Sequence, residues 1–308
     1  MTSVSIRYAM PHSYLKYVLN IFLSYLIFLS VISFFGKGFS AIASLGIALL
    51  SCGIAIAYNI YKAQNIVFKQ IDYFFIGTIF IAQVLIGIIH FDHTINPNYF
   101  SKDVLGVDID KGTYYWDVGY FAFLVDAIAE LRTKGGYLAF DPLDGVFHKN
   151  YFLAYLISDL FYFGDAYILN FIVVNILAIF YSGVLLALIS NKLFGNLDIN
   201  KRRMVFYLVI IQPFAWIPSH TMRDVFGAFI VVLSVSLVLF SVTKIQKITF
   251  AILSLALVLQ HRSVYFLSVF GSILLANTSV IRGGRAIAIL VVLSSVGLIY
   301  AIFSTNIW

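Results

Sequence analysis

The sequence predicts an all-α integral membrane protein. It has about nine transmembrane helices and one long extracytoplasmic loop containing an amphipathic helix. Three observations lead there: an excess of apolar residues, apolar runs of membrane-spanning length, and basic residues that recur at every second connection. Of the 308 residues, 61% are hydrophobic and 11% are charged, and mean hydropathy is +0.96. A soluble domain carries about 25% charged residues. A soluble chain of this size could not bury so much apolar surface in one core, so the bilayer must act as part of the solvent. The 30 Phe and 20 Tyr suit lipid-facing and interfacial positions.

A spanning helix needs roughly 20 apolar residues. Runs at 17–35, 39–61, 72–91, 165–190, 203–218, 225–243, 248–261, 263–281 and 286–304 are the candidates. The seventh is short and can join the eighth as a kinked or re-entrant pair. Segment 151–163 is apolar but too short to span, and reads as a half-helix or an interfacial helix. The chain reads as one polytopic membrane domain, 1–308, without internal repeats. The first apolar run is long and more follow, unlike a cleavable signal peptide. Cys52, the one cysteine, lies inside an apolar run, where it reads as a small hydrophobe; a lone cysteine excludes an intrachain disulfide and a thiolate zinc cluster.

Basic residues orient the spans. With Arg7 and Lys16 in the cytoplasm, the inner connections carry Lys62 and Lys69, then Lys192, Lys201, Arg202 and Arg203, then Lys244 and Lys247, then Arg282 and Arg285. Asp198 is the clear acidic exception, with Asp72 at a boundary. Segment 92–150 then lies outside. It is acidic, with Asp92, Asp103, Asp108, Asp110, Asp117, Asp126, Glu130, Asp141 and Asp144 against Lys102, Lys111, Arg132, Lys134 and Lys149. Within it, 115–132 mixes apolar and acidic positions at helical spacing and reads as an amphipathic surface helix. Gly135-Gly136 ends it, and Asp141-Pro142-Leu143-Asp144-Gly145 reads as a turn.

Ionisable residues at membrane edges are costly and therefore candidates for function. Arg223 and Asp224, beside His220, sit at the outer mouth of two spans. An arginine fork there suits a phosphate or pyrophosphate; the bland alternative is an Arg–Asp pair tying helices together. His261 and Arg262 interrupt the apolar stretch 248–281. They read either as a second phosphate site, with His as donor or proton carrier, or as an ordinary outer turn. Asp108, Asp110 and Asp117 interleave with Tyr114, Tyr115 and Trp116. Carboxylates there can deprotonate a sugar hydroxyl or hold a divalent cation, and the rings can stack on sugars; the alternative is a solvated acidic loop. Asp159 and Asp165 fall near the outer interface. Asn170 and Asn175 read as inter-helix hydrogen-bonding residues. His90 and His93 read as interface positions rather than metal ligands. No zinc spacing, P-loop, dinucleotide fingerprint or Gly-x-Ser-x-Gly elbow is present, and nothing points to nucleic acid.

The order of these features resembles that of bacterial membrane enzymes of surface-polysaccharide assembly. An acidic outer loop with an aromatic-rich helix leads into Tyr155-Leu156-Ile157-Ser158-Asp159-Leu160-Phe161-Tyr162-Phe163-Gly164, then Asn170 and Asn175. A Pro-containing span follows, with Pro213, Pro218, Arg223 and Asp224, and later Arg262 with Tyr265 and Phe266. Over roughly residues 90 to 270 this is similar to polyprenyl-phosphate-sugar-dependent glycosyltransferases of the GT-C class and to Wzy-type O-antigen polymerases. The resemblance implies a polymerase-like glycosyltransferase of the bacterial inner membrane, with a cytoplasmic N-terminus and a polyprenyl-diphosphate-linked sugar donor used outside. Arg223 and Arg262 would hold the diphosphate. The base would be one of Asp108, Asp110, Asp117 or Asp224, or a histidine, His220 or His261. Tyr114, Tyr115 and Trp116 would stack on sugar. In GT-C enzymes the outer-loop Asp follows the first span, whereas here the loop follows the third, which leaves that Asp unassigned. No cofactor is called for beyond an optional divalent cation. Expected partners are the lipid-linked sugar, the bilayer and a chain-length regulator or other assembly proteins. The rival readings are a lipid-linked oligosaccharide flippase, which should show pseudo-symmetric halves and broken helices, and a non-catalytic scaffold.

Overall fold

A computed structural model of the chain describes residues 5–35, 41–94, 167–194, 197–211, 223–261, 269 and 271. These form seven helices: α1 (Ser5–Phe35), α2 (Ala41–Lys62), α3 (Asp72–Thr94), α4 (Tyr167–Phe194), α5 (Ile199–Ile211), α6 (Arg223–Phe240) and α7 (Lys244–His261). No strand occurs among the described residues beyond an isolated bridge between Gln64 and Phe68. Three stretches are long and apolar enough to cross a membrane: Tyr14–Ile32, Leu45–Lys62 and Ile172–Phe194. Shorter apolar helical stretches run over Asp72–Ile86 and Val225–Phe240. These apolar helices are those of a membrane protein. Asp92–Thr94, expected in the outer loop, end α3; the rest of that loop with its expected helix 115–132, segment 151–163, the part of span 203–218 beyond Ile211, and spans 263–281 (save Val269 and Gly271) and 286–304 lie outside the described residues.

The arrangement follows from which helices are apolar all round. α4 is the hub: it packs against α1, α2, α3, α5 and α6, and 94% of its apolar window is buried. A helix apolar on every side is one that partners surround. By contrast, only 33% of the α2 window is buried, and Ile42, Leu50, Ile54 and Tyr61 stand exposed along it. α1 packs on α2 and α6, and α6 packs on α7.

Aromatic rings fill the interior in two groups. Tyr25, Tyr181, Phe226 and Phe229 join α1, α4 and α6, with Tyr25 and Phe229 centroids 4.9 Å apart. Phe68, Phe180 and Phe206 join the α2–α3 turn to α4 and α5, and Phe68 meets Phe206 edge-on at 4.8 Å. Such offset and edge-to-face geometries are those the ring quadrupoles favour. α5 approaches α4 closely because Gly183 lacks a side chain: a Cβ there would lie 2.9 Å from the Phe206 ring and 3.3 Å from Ile210.

The connections explain where the helices begin. The α2–α3 turn passes through Asn65 at φ 66°, a left-handed position that Asn tolerates. Asp198 caps α5, its Oδ1 accepting from the Lys201 N–H at 3.0 Å. α7 starts at Lys244, four residues before the expected 248. Thr243 and Gln246 form a capping box: Thr243 Oγ1 accepts from the Gln246 N–H at 3.1 Å, and Gln246 Oε1 accepts from the Thr243 N–H at 3.3 Å. The polar first turn, with Lys244 and Lys247, is therefore helical although it is not apolar.

The helix ends assort by charge. The Asn191 amide donates to the Tyr14 hydroxyl at 3.0 Å, Tyr14 stacks on Phe240, and Lys69 Nζ donates to Asn200 Oδ1 at 2.8 Å. These contacts gather the start of α1, the α2–α3 turn, the end of α4, the start of α5 and the α6–α7 turn at one end of the bundle. Lys62, Lys69, Lys192, Lys201, Arg202, Arg203, Lys244 and Lys247 all belong to it.

Candidate functional site

Three of the candidate site residues fall among the described residues, all at the other end of the bundle. Arg223 and Asp224 occupy the first turn of α6, and His261 is the last residue of α7. The two helices have 18 residues each and pack as a hairpin across the short turn 241–243. Their free ends therefore lie side by side, opposite the basic end. This brings the backbone of Arg223, Asp224 and His261 to one end of one hairpin. The first-turn N–H groups of α6 lack intrahelical acceptors, which favours negative charge there. His220, Arg262, Asp108, Asp110, Asp117, Tyr114, Tyr115 and Trp116 lie outside the described residues.

Two polar clusters that the sequence did not single out stand within the helices. The first joins α1, α2 and α4. The Asn59 side-chain nitrogen faces three acceptors: the Ala55 carbonyl at 2.8 Å, the Tyr181 hydroxyl at 3.0 Å and the Ser24 hydroxyl at 3.2 Å. Ser24 and Tyr181 hydroxyls are 3.0 Å apart, and Ser24 Oγ donates to the Asn20 carbonyl at 2.8 Å. Each member thus finds donors and acceptors inside the bundle, as polar groups away from water must. This cluster holds three helices in register, and its geometry is that of a fastening. Asn59 is the signal for it in sequence, an amide inside an apolar run; Ser24 and Tyr181 carry none.

The second cluster stands at the basic end. Arg203 Nε donates to both oxygens of Asp72, at 2.8 and 3.1 Å, and the Asp72 carboxylate also accepts from Arg203 Nη2, the Tyr207 hydroxyl and the Lys69 N–H. The Asp72 side chain is fully buried and that of Arg203 is 18% exposed. In sequence Arg203 is one more inner-loop charge and Asp72 a boundary residue; the pairing needs α3 and α5 side by side. Nearby, the Asp198 carboxyl is held below the usual carboxylate range, first by the hydrogen bond from the Lys201 backbone.

Two further residues close gaps. The Gln83 amide donates to the Ile210 carbonyl at 3.2 Å. Cys52 is fully buried, its thiol 4.0 Å from the Val173 carbonyl, in keeping with its reading as a small hydrophobe. Asn175 is fully buried on α4. Among the described residues no group of three His, Cys, Asp or Glu is close enough to hold a metal ion.

No protein-family model matches the chain, and no curated protein or solved structure matches it either.

Proposed function

We propose that the protein is a membrane glycosyltransferase of bacterial polysaccharide assembly, polymerase-like, that uses a polyprenyl-diphosphate-linked sugar at the end of the bundle opposite the basic turns. In this reading the basic end is cytoplasmic and the N-terminus with it. The observation that carries the reading is the hairpin of α6 and α7. Its free ends carry the backbone of Arg223 and Asp224 and of His261, the residue that precedes Arg262 in sequence. An arginine on a helix first turn adds its fork to unpaired backbone N–H groups, a combination suited to a phosphate.

The chemistry then follows. The acceptor hydroxyl attacks the anomeric carbon, and the bond from that carbon to the diphosphate oxygen breaks. Arg223 and Arg262 stabilise the charge that grows on the departing polyprenyl diphosphate. A carboxylate or histidine, among Asp224, His220, His261 and the outer-loop Asp108, Asp110 and Asp117, takes the hydroxyl proton.

The test is replacement of Arg223 or Arg262 by Ala in the host strain. Polymer should disappear while the protein level holds, and normal chain length in both variants would sink the assignment. Proteoliposomes with a lipid-linked sugar donor separate transfer from translocation: a transferase lengthens the glycan, whereas a flippase moves it across unchanged.

A further inference from the structure

The basic end of the bundle carries more than a topological signal. Its carboxylates among the described residues are already engaged: Asp72 by Arg203 and Tyr207, Asp198 by Lys201 at 3.8 Å and by the first turn of α5. Among the described residues Lys62 and Lys69 have no carboxylate ion-pair partner, and Arg202 lies within electrostatic reach of Asp198, which Lys201 already engages. Lys62 Nζ hovers over the rings of Tyr58 and Tyr61, at 5.6 and 5.9 Å from their centroids. Both rings are exposed, Tyr61 by 63%. Lys69 is exposed and tied through one hydrogen bond to Asn200. Arg202 is half-buried, and its Nε is enclosed without a hydrogen-bond partner.

The platform beneath these groups is rigid. Val67 and Phe68 of the α2–α3 turn are fully buried, with Phe68 locked against Phe180 and Phe206. Lys62, beside exposed aromatic rings, and Lys69, on the turn that Val67 and Phe68 anchor, thus stand on a fixed surface. Tyrosines collect at the headgroup level of a bilayer, and lysine stems lie along apolar surface while their heads reach for anions.

We propose that this end is a docking surface for the phosphate headgroups of anionic phospholipids. Lys62, Lys69 and Arg202 supply the charge, and Tyr58 and Tyr61 set the depth. Charge complementarity selects the occupant: the surface holds unneutralised cations beside apolar rings, and an anionic lipid offers a phosphate attached to acyl chains. The proposal rests on the membrane reading of the helices and is independent of the glycosyltransferase reading.

The full chain is reconstituted in vesicles of phosphatidylcholine alone and of phosphatidylcholine mixed with phosphatidylglycerol. Flotation reports insertion, and native mass spectrometry of the protein released from mixed vesicles reports which lipid stays bound. Phosphatidylglycerol should be retained over phosphatidylcholine. Each of Lys62→Gln, Lys69→Gln and Arg202→Gln should reduce that preference about fivefold, the effect of ~1 kcal/mol per cation near a charged surface, and salt should weaken it further. Lys62→Gln alters an exposed side chain, so it reads binding even if the Arg202 variant folds poorly. Wild-type protein that floats in both mixtures but retains the two lipids equally overturns the docking surface alone. Failure to float in either mixture overturns the membrane reading, and the docking surface with it.

Discussion

Arg203 grips Asp72 across 131 positions of sequence, its Nε reaching both carboxylate oxygens at 2.8 and 3.1 Å. This fork is the main polar tie between α3 and α5. Breaking one side of a buried pair leaves the other charge uncompensated, at a cost of about 3 kcal/mol. Asp72→Ala should therefore lower the thermal midpoint in detergent substantially. Arg203→Lys, which keeps charge but loses the fork, should fall between it and wild type. A midpoint of Asp72→Ala equal to wild type would refute a stabilising role for the pair.

Close approach of α4 and α5 depends on Gly183. Phe206 is fully buried and held edge-on by Phe68 and Phe180, so it has little room to yield. Gly183→Ala should cost about 1–3 kcal/mol by overpacking. Gly46 and Gly53 on α2 have nothing within 4 Å of an added Cβ. Alanine at either should be neutral or stabilising by up to about 1 kcal/mol, because it removes the helix penalty of glycine. Equal effects at all three positions, read by thermal unfolding, would count against the packing assigned to Gly183.

Tyr181→Phe deletes the hydroxyl that Ser24 and Asn59 share. Inter-helix hydrogen bonds in membranes average about 0.6 kcal/mol, and this hydroxyl serves two partners, so a loss of about 1 kcal/mol is expected. A double-mutant cycle with Asn59→Ala should show clear non-additivity. Additive losses would mean that the two side chains act independently.

The Asp198 cap makes the first turn of α5 sensitive to pH. Hydrogen bonding to the ionised form lowers the folded carboxyl below its ordinary value near 3.9. The contribution is therefore present above that value and lost as pH falls through the lower, folded one. Amide exchange at Lys201, corrected for its intrinsic pH dependence, should accelerate as pH falls below the ordinary carboxyl range toward the lower, folded value. In Asp198→Asn, which keeps an acceptor but does not titrate, the acceleration should vanish. Persistence of the pH effect in that variant would assign it to another group.

Much of this molecule is legible in the order of residues because the bilayer reads composition directly. Apolar runs predict α2, α3 and α4 within a few residues, and the end of α1 but not its start, which lies at Ser5 rather than at 17; a spanning helix must satisfy its backbone internally and show lipid an apolar surface. The start of α7 was written too, in Thr243 and Gln246, but as capping chemistry that hydropathy does not register. Which side chains meet is another matter. Periodicity does not say that α4 is the hub, that Asp72 answers Arg203, or that Asn59, Ser24 and Tyr181 hydrogen-bond to one another. Those pairings join positions 35 to 157 residues apart, and they exist only because helix packing brings α1 and α2 onto α4 and sets α3 and α5 around it. Hydropathy selects the solvent for each helix; only tertiary packing, through Gly183 and the interlocked rings around it, selects its neighbours.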